Sequence, residues 1–333
     1  MSRRSDFPRI TTIALISVFV AVFVAEITKA AATAAILITV DQSGRGNFTK
    51  IQDAIDAVPV NNVEQVFIAV KPGIYREKVI VPANKPFITI SGRRAVDTIV
   101  TWNDSRITYN SATLAVLASD FVGRYLTIQN GFGPGAQAVA LRVSGDRVSF
   151  NACRFLGHQD TLLDDIGRHY YKSCYIEGAT DFICGNAASL FENCHLHSVS
   201  DAVGTITAQR RESPSETTGF SFMGCKITGI NSAVLGRPWG AYSRVVFGYT
   251  YMSDLILPQG WDDWQDPSKH STVYYGQYRC YGKGANPSRR VPWSLTNMTS
   301  QEAAPFFNKS FIGAADWLRP LPTTFKRAFS SKP

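Results

Sequence analysis

Two stretches decide the reading of this chain: Gly157-His158-Gln159-Asp160-Thr161-Leu162 and Asp181-Phe182-Ile183-Cys184-Gly185. Asp160 and Asp181 stand 21 residues apart, as do Cys153 and Cys174, each seven residues ahead of one aspartate. A short unit is repeated, with a Cys and then an Asp in matching places. If each unit is one coil of a wound sheet, matching positions stack at the strand spacing of about 4.8 Å. The repeat then sets two carboxylates side by side, an arrangement suited to acid/base or nucleophilic chemistry.

The pattern extends outward from there. Tyr125-Leu-Thr-Ile-Gln, Phe150-Asn-Ala-Cys-Arg-Phe, Tyr171-Lys-Ser-Cys-Tyr-Ile, Phe191-Glu-Asn-Cys-His-Leu, Phe222-Met-Gly-Cys-Lys-Ile and Val246-Phe-Gly-Tyr-Thr-Tyr alternate alike. The cysteine column at 153, 174, 194 and 225 steps by 21, 20 and 31 residues. Short β segments recurring at such periods are the signature of a solenoid. The expected fold is all-β, a single-stranded right-handed parallel β-helix, with a jelly roll or sandwich as the alternative. Upstream, Ile36 to Val40, Val66 to Val70, Lys78 to Val81 and Phe87 to Ser91 read as strands. Phe48 to Val58 has helical spacing through Ile51, Ala54, Ile55 and Val58 and stops at Pro59, giving a short N-terminal capping helix. Past about Leu255 the repeat fades into a Trp- and Tyr-rich tail, expected to pack back along the solenoid. No linker breaks residues 35–333, which count as one domain.

Residues 1–34 are set apart. Arg3, Arg4 and Arg9 precede the apolar run Ile10 to Ala25, and Ala30-Ala31-Ala32-Thr33-Ala34 supplies small residues for cleavage. That is the form of a secretory signal peptide, and the run is short for a membrane anchor. The 333 residues, 45% hydrophobic and 18% charged, suffice for a large core, and the net charge is +8. A basic secreted protein suits acidic polysaccharide. The cations are scattered, with only pairs such as Arg93-Arg94 and Arg210-Arg211, so neither nucleic acid nor membrane is expected as a partner. Asn47, Asn103, Asn297 and Asn308 open glycosylation sequons. Six cysteines have no Cys-x-x-Cys spacing, and no metal site is expected. In an oxidising compartment the stacked column suggests bridges Cys153–Cys174 and Cys194–Cys225, the alternative being an unbonded ladder of buried thiols.

Gln159 adjoins Asp160, and Gln137 lies 23 residues before it, close to one coil earlier. Amide donors stabilise oxyanions, and paired carboxylates divide into a protonated acid and an ionised nucleophile or base. Arg237 supplies a charge to keep one carboxylate ionised, and Trp239 an apolar platform for a sugar face. Against this, a lone Asp after a strand is usually a turn former. Asp201 has no assigned role, and Asp164-Asp165 and Asp262-Asp263 read as solvated loop carboxylates. The five histidines lack metal-ligand spacing, although His195 and His197 share a strand face. On the residues alone, a carboxylate enzyme and a carbohydrate-binding solenoid both remain open.

Five blocks in order, Gly73-Ile-Tyr-Arg-Glu77, Gln137-Ala-Val-Ala-Leu-Arg142, Gly157-His-Gln-Asp-Thr-Leu162, Asp181-Phe-Ile-Cys-Gly185 and Leu235-Gly-Arg-Pro-Trp239, resemble those of plant pectin methylesterases. The likeness spans roughly residues 36–320, and with no inhibitor-like pro-region legible it resembles the short branch of that family. It implies hydrolysis of the C6 methyl ester of galacturonate in pectin, without cofactor, by a secreted and monomeric cell-wall enzyme. Asp181 would be the nucleophile, Asp160 the acid and then base, Gln137 and Gln159 the oxyanion donors, and Arg237 the residue orienting Asp181. Trp239, Thr108, Cys184 and Trp261 would bind substrate, with a proteinaceous inhibitor as a further partner. Cys184 stands where the family has a groove Phe, which implies a weaker grip on pectin. A lyase would need a calcium-binding carboxylate cluster and a polygalacturonase three clustered aspartates, and neither is legible. A non-catalytic wall-binding protein would keep the fold and charge without the Gln, Asp and Arg set.

Overall fold

The computed structural model describes residues 34–327, so the expected signal segment, all but its last residue, lies outside the described residues. Every strand pair is parallel, and each coil gives one strand to each of three sheets. Among the described residues the sheets have eleven, eight and seven strands, stacked in chain order except where the last of these strands joins one end. This is the expected parallel β-helix, and the all-parallel pairing removes the jelly-roll alternative. The first sheet includes Val148–Asn151, Arg168–Lys172 and Ala188–Glu192; the second, Arg154–Leu156 and Tyr175–Gly178; the third, Leu162–Asp164 and Ile183–Gly185.

The repeat places like residues in registered columns. Phe150, Tyr171, Phe191, Phe222 and Phe247 form an interior stack, with ring centroids 5.7, 4.6, 4.5 and 4.5 Å apart. The sequence alignment that began the last unit at Val246 is thus one residue early, because Phe222 pairs with Phe247. At the other end of the stack a side chain is not tolerated. A Cβ on Gly123 would meet the Phe150 ring at 2.4 Å. The corner between the first and second sheets is a single left-handed residue, with φ 51° at Ala152, 53° at Ser173 and 54° at Asn193. Each costs about 1–2 kcal/mol for an L-residue, and the stacked coils on either side hold it there.

The cysteine column follows that corner, and the expected bridges are absent: all six cysteines are free thiols. Matching side chains on parallel strands project the same way, so their Cβ atoms stay near the strand spacing of about 4.8 Å. A disulfide takes about 3.5–4.5 Å between Cβ atoms. Instead the thiols donate to backbone carbonyls, Cys194 to Tyr171 at 3.5 Å and Cys225 to Phe191 at 3.4 Å. Burial pushes the Cys153, Cys174 and Cys194 thiols well above their ordinary range, which keeps them unreactive. Thiol titration of the unfolded protein without reductant is expected to count six; a count of two would restore the bridges.

The N-terminal helix is shorter than its spacing suggested, Ile51–Asp56, and buries Ile51, Ala54 and Ile55 in the core. The coil continues past Leu255, since Tyr274–Tyr278 pairs with Arg244–Gly248. Beyond it the tail packs on the outer face of the first sheet. Met298, Ala303 and Phe306 cover Val246 and Tyr278, and Ile312, Ala314 and Trp317 cover Tyr170, Ala188 and Leu190. The strand Phe325–Arg327 then pairs with Ala35–Leu37 at the far end.

Candidate active site

Asp160 and Asp181 occupy the next corner, where the second sheet turns into the third. Phe182, Leu162 and Ile183 point into the core and anchor the turns, and Thr161 Oγ1 donates to Glu177 O at 2.9 Å. Asp160 N donates to Thr180 O at 3.1 Å, which sets the two aspartates on adjacent coils. Both are left-handed, φ 58° and 47°. Non-glycine residues held there mark corners that the surrounding structure over-determines, and such strain collects at working sites. One coil earlier, Ala138 N donates to Gln159 O at 3.1 Å and brings Gln137 alongside Gln159.

Arg237 follows the strand Ser232–Gly236 and reaches back over Asp181 with both arms. Its Nε donates to Oδ1 at 2.8 Å and its Nη2 to Oδ2 at 2.6 Å. Among the described residues Asp160 has no such clamp; Thr108 Oγ1 donates to its Oδ2 at 3.2 Å. Burial, and then the charge of Asp181, push the Asp160 carboxyl up to about 7. Burial also raises Asp181, but the Arg237 guanidinium opposes that rise. Burial thus raises both carboxyls, but the Arg237 clamp opposes the rise at Asp181, which favours Asp160 as the one that holds a proton.

A cavity of about 250 Å³ opens above the pair, lined also by Thr108, Gln137, Gln159, Cys184, Ala208, Arg237, Trp239 and Trp264. Among the described residues neither glutamine side chain has a hydrogen-bond partner, which leaves both amides free to donate. Cys184 is 2% exposed and projects to the groove side, flanked in register by Leu163 and Ala208 and packed with Trp239. Among the described residues no group of three or more His, Cys, Asp or Glu could hold a metal.

Trp261 is not a groove residue. It is 2% exposed and stacks on Tyr275 with centroids 4.2 Å apart, inside the core. The aromatic the sequence reading missed is Trp264, 39% exposed, whose ring lies 3.9 Å from the Arg237 guanidinium carbon. The only signal for it was a second Trp three residues on, after the repeat had faded. Asp164 is not a solvated loop carboxylate. It is fully buried and accepts from His169 Nδ1 at 2.5 Å, Tyr171 OH at 2.7 Å and Ser189 Oγ. Asp165 accepts from Ser144 Oγ at 2.7 Å, and Asp263 pairs with His270 at 3.0 Å. His195 and His197 do share a face, where both rings meet Thr228 Oγ1.

Two neighbouring carboxylates, one clamped by an arginine, beneath two amide side chains on a parallel β-helix are the groups a hydrolase site needs. Comparison with known proteins narrows the class. The pectinesterase family model matches residues 37–315. An Arabidopsis thaliana protein carrying a pectinesterase name is 58% identical over 296 residues, covering 88% of this chain and 84% of its own. The pectin methylesterase from carrot superposes with a TM-score of 0.82 at 33% identity, over 86% of this chain and 97% of the carrot chain. A pectin methylesterase solved in complex with a hexasaccharide gives a TM-score of 0.72 at 26% identity, over 86% and 98%. The chain belongs to the pectinesterase family of carboxylic ester hydrolases.

Proposed function

We propose that this protein hydrolyses the C6 methyl esters of polygalacturonan in pectin, giving pectate and methanol, as a secreted monomer in the plant cell wall. Family membership and the hexasaccharide-bound relative support the substrate class, and the charge of +8 suits a polyanionic product. The observation that carries the mechanism is the fork of Arg237 on Asp181 alone. It keeps one carboxylate ionised as nucleophile while the other holds a proton.

An Asp181 oxygen attacks the ester carbonyl carbon, and its electron pair moves the carbonyl π pair onto oxygen. Gln137 and Gln159 donate to that oxyanion; a single such donor is typically worth about 10²–10³ in rate. On collapse the bond to methoxide breaks, and Asp160 transfers its proton so that methanol leaves. The acyl-enzyme is an anhydride between Asp181 and the galacturonate. Asp160, now a carboxylate, takes a proton from water as that water attacks the galacturonyl carbonyl, and Asp181 departs ionised. Trp239 and Trp264 wall the groove. Incubation with highly methylated pectin tests the reading. Loss of the methoxyl proton signal with equal methanol and unchanged chain length is expected. Unsaturated ends would mean a lyase, new reducing ends a polygalacturonase, and binding without methanol a wall-binding protein.

Activity needs Asp160 protonated, so kcat/KM should fall as pH rises through about 7. The Thr108 hydroxyl favours the ionised form, so Thr108→Val should raise the Asp160 pKa and carry the alkaline limb to higher pH. A limb that stays in place under this substitution excludes Thr108 from tuning the acid.

Cys184 sets a second expectation. A Phe at this groove position adds a flat wall beside Trp239, realising part of the roughly 1.5–3 kcal/mol of full aromatic burial. Cys184→Phe is expected to lower KM for pectin with kcat within a few-fold, the pattern of added uniform binding. An unchanged or raised KM, with a lowered melting temperature, would mean that the ring overpacks the floor.

A further inference from the structure

A second cavity, of about 370 Å³, lies between the outer face of the first sheet and the tail that crosses it. It is larger than the catalytic cavity, which lies where the other two sheets meet, and its volume is within the range that holds a small ligand, about 300–1,000 Å³. The sheet side offers the hydroxyls of Thr89 and Ser149, and the tail side the apolar surfaces of Pro320, Leu321 and Pro322. Five cations line it, and two are already matched. Arg147 pairs with Asp120 at 2.6 Å and Asp146 at 3.0 Å, and Lys172 with Glu192 at 3.4 Å. The other three are Arg124, Lys309 and Arg319. Among the described residues none of them has a carboxylate within the 4.0 Å of an ion pair. Arg124 lies 4.9 Å over the Tyr125 ring, and Lys309 5.4 Å over the Tyr170 ring.

We propose that this cavity is a second, non-catalytic site for an anionic sugar of one or two uronate rings. Three uncompensated cations call for carboxylates, the hydroxyl-bearing side matches sugar hydroxyls, and the proline and leucine side matches the apolar face of a ring. A bare inorganic anion would leave that apolar side unused. The choice of a uronate rests on the proposed esterase reading, whose product carries free carboxylates; the cavity and its cations do not. Bound there, the demethylated chain is held on a face away from the reacting ester.

Amide NMR titration of the folded chain with digalacturonate locates the site. The expected result is shifts at Ser149, Asn151 and Leu318, which need at least about tenfold more ligand in Arg124→Ala/Arg319→Ala. The neutral digalactose should leave these signals still. Methanol release by the double variant at saturating pectin should stay within about twofold, since neither residue lines the catalytic cavity. Lys309→Ala alone, at an exposed position of the tail, gives a milder variant with the same direction of effect. Shifts confined to the groove around Trp239, or an unchanged response in the double variant, would overturn the proposal. Inorganic phosphate acting at lower concentration than digalacturonate would overturn the uronate assignment. Failure of the esterase reading registers separately, as absence of methanol in the parent protein, and does not alter these shifts.

Discussion

Asp181→Asn is expected to cut methanol release from pectin by about 10³-fold or more, leaving what binding and the amide donors alone supply. The substitution removes the nucleophilic charge and keeps the shape. It also turns an amide NH₂ toward one arm of the Arg237 fork, which now spans both carboxylate oxygens at 2.8 and 2.6 Å. Some loss of thermal stability should therefore accompany it, because a buried donor is left without its acceptor. Circular dichroism of the purified variant separates the two effects. A folded Asp181→Asn protein with near-parental methanol release would remove Asp181 from the mechanism.

Asp160→Asn is expected to cost about 10²–10⁴-fold, the usual range for a positioned acid or base. Its signature differs from that of Asp181→Asn. A galacturonate phenyl ester has a leaving group that departs without a proton, so acylation by Asp181 survives the substitution. Deacylation still lacks its base. Stopped-flow should then show a burst of phenol stoichiometric with enzyme, followed by slow turnover. Asp181→Asn should show no burst. A burst from Asp181→Asn, or none from Asp160→Asn, would reverse or dissolve the assigned roles.

Much of this was legible in the chain because a solenoid writes its structure as a period. Asp160, Asp181, Gln137 and Gln159 lie on neighbouring coils, and steps of 20 to 23 residues there leave little room for slippage. Where the steps lengthen, the reading slipped, and Val246 was set one residue out of register with Phe222. Asp164 was misread because its partners, His169, Tyr171 and Ser189, come from other strands, and a turn-like Asp-Asp pair carries no trace of them. Trp261 and Trp264 are three residues apart in a stretch without repeat, so nothing local told core from groove. The thiol column failed differently. Its positions were right, but parallel projection holds stacked Cβ atoms too far apart for the bond that stacking suggested.

The claim on which the account rests is the division of labour between the two carboxylates. Carbon-13 titration of the side-chain carboxyls tests it directly. One carboxyl should titrate near 7, vanish in Asp160→Asn, and move to lower pH in Asp181→Asn, where the neighbouring negative charge is gone. Both carboxyls titrating in the ordinary aspartate range, or a high-titrating signal that persists in Asp160→Asn, would contradict it.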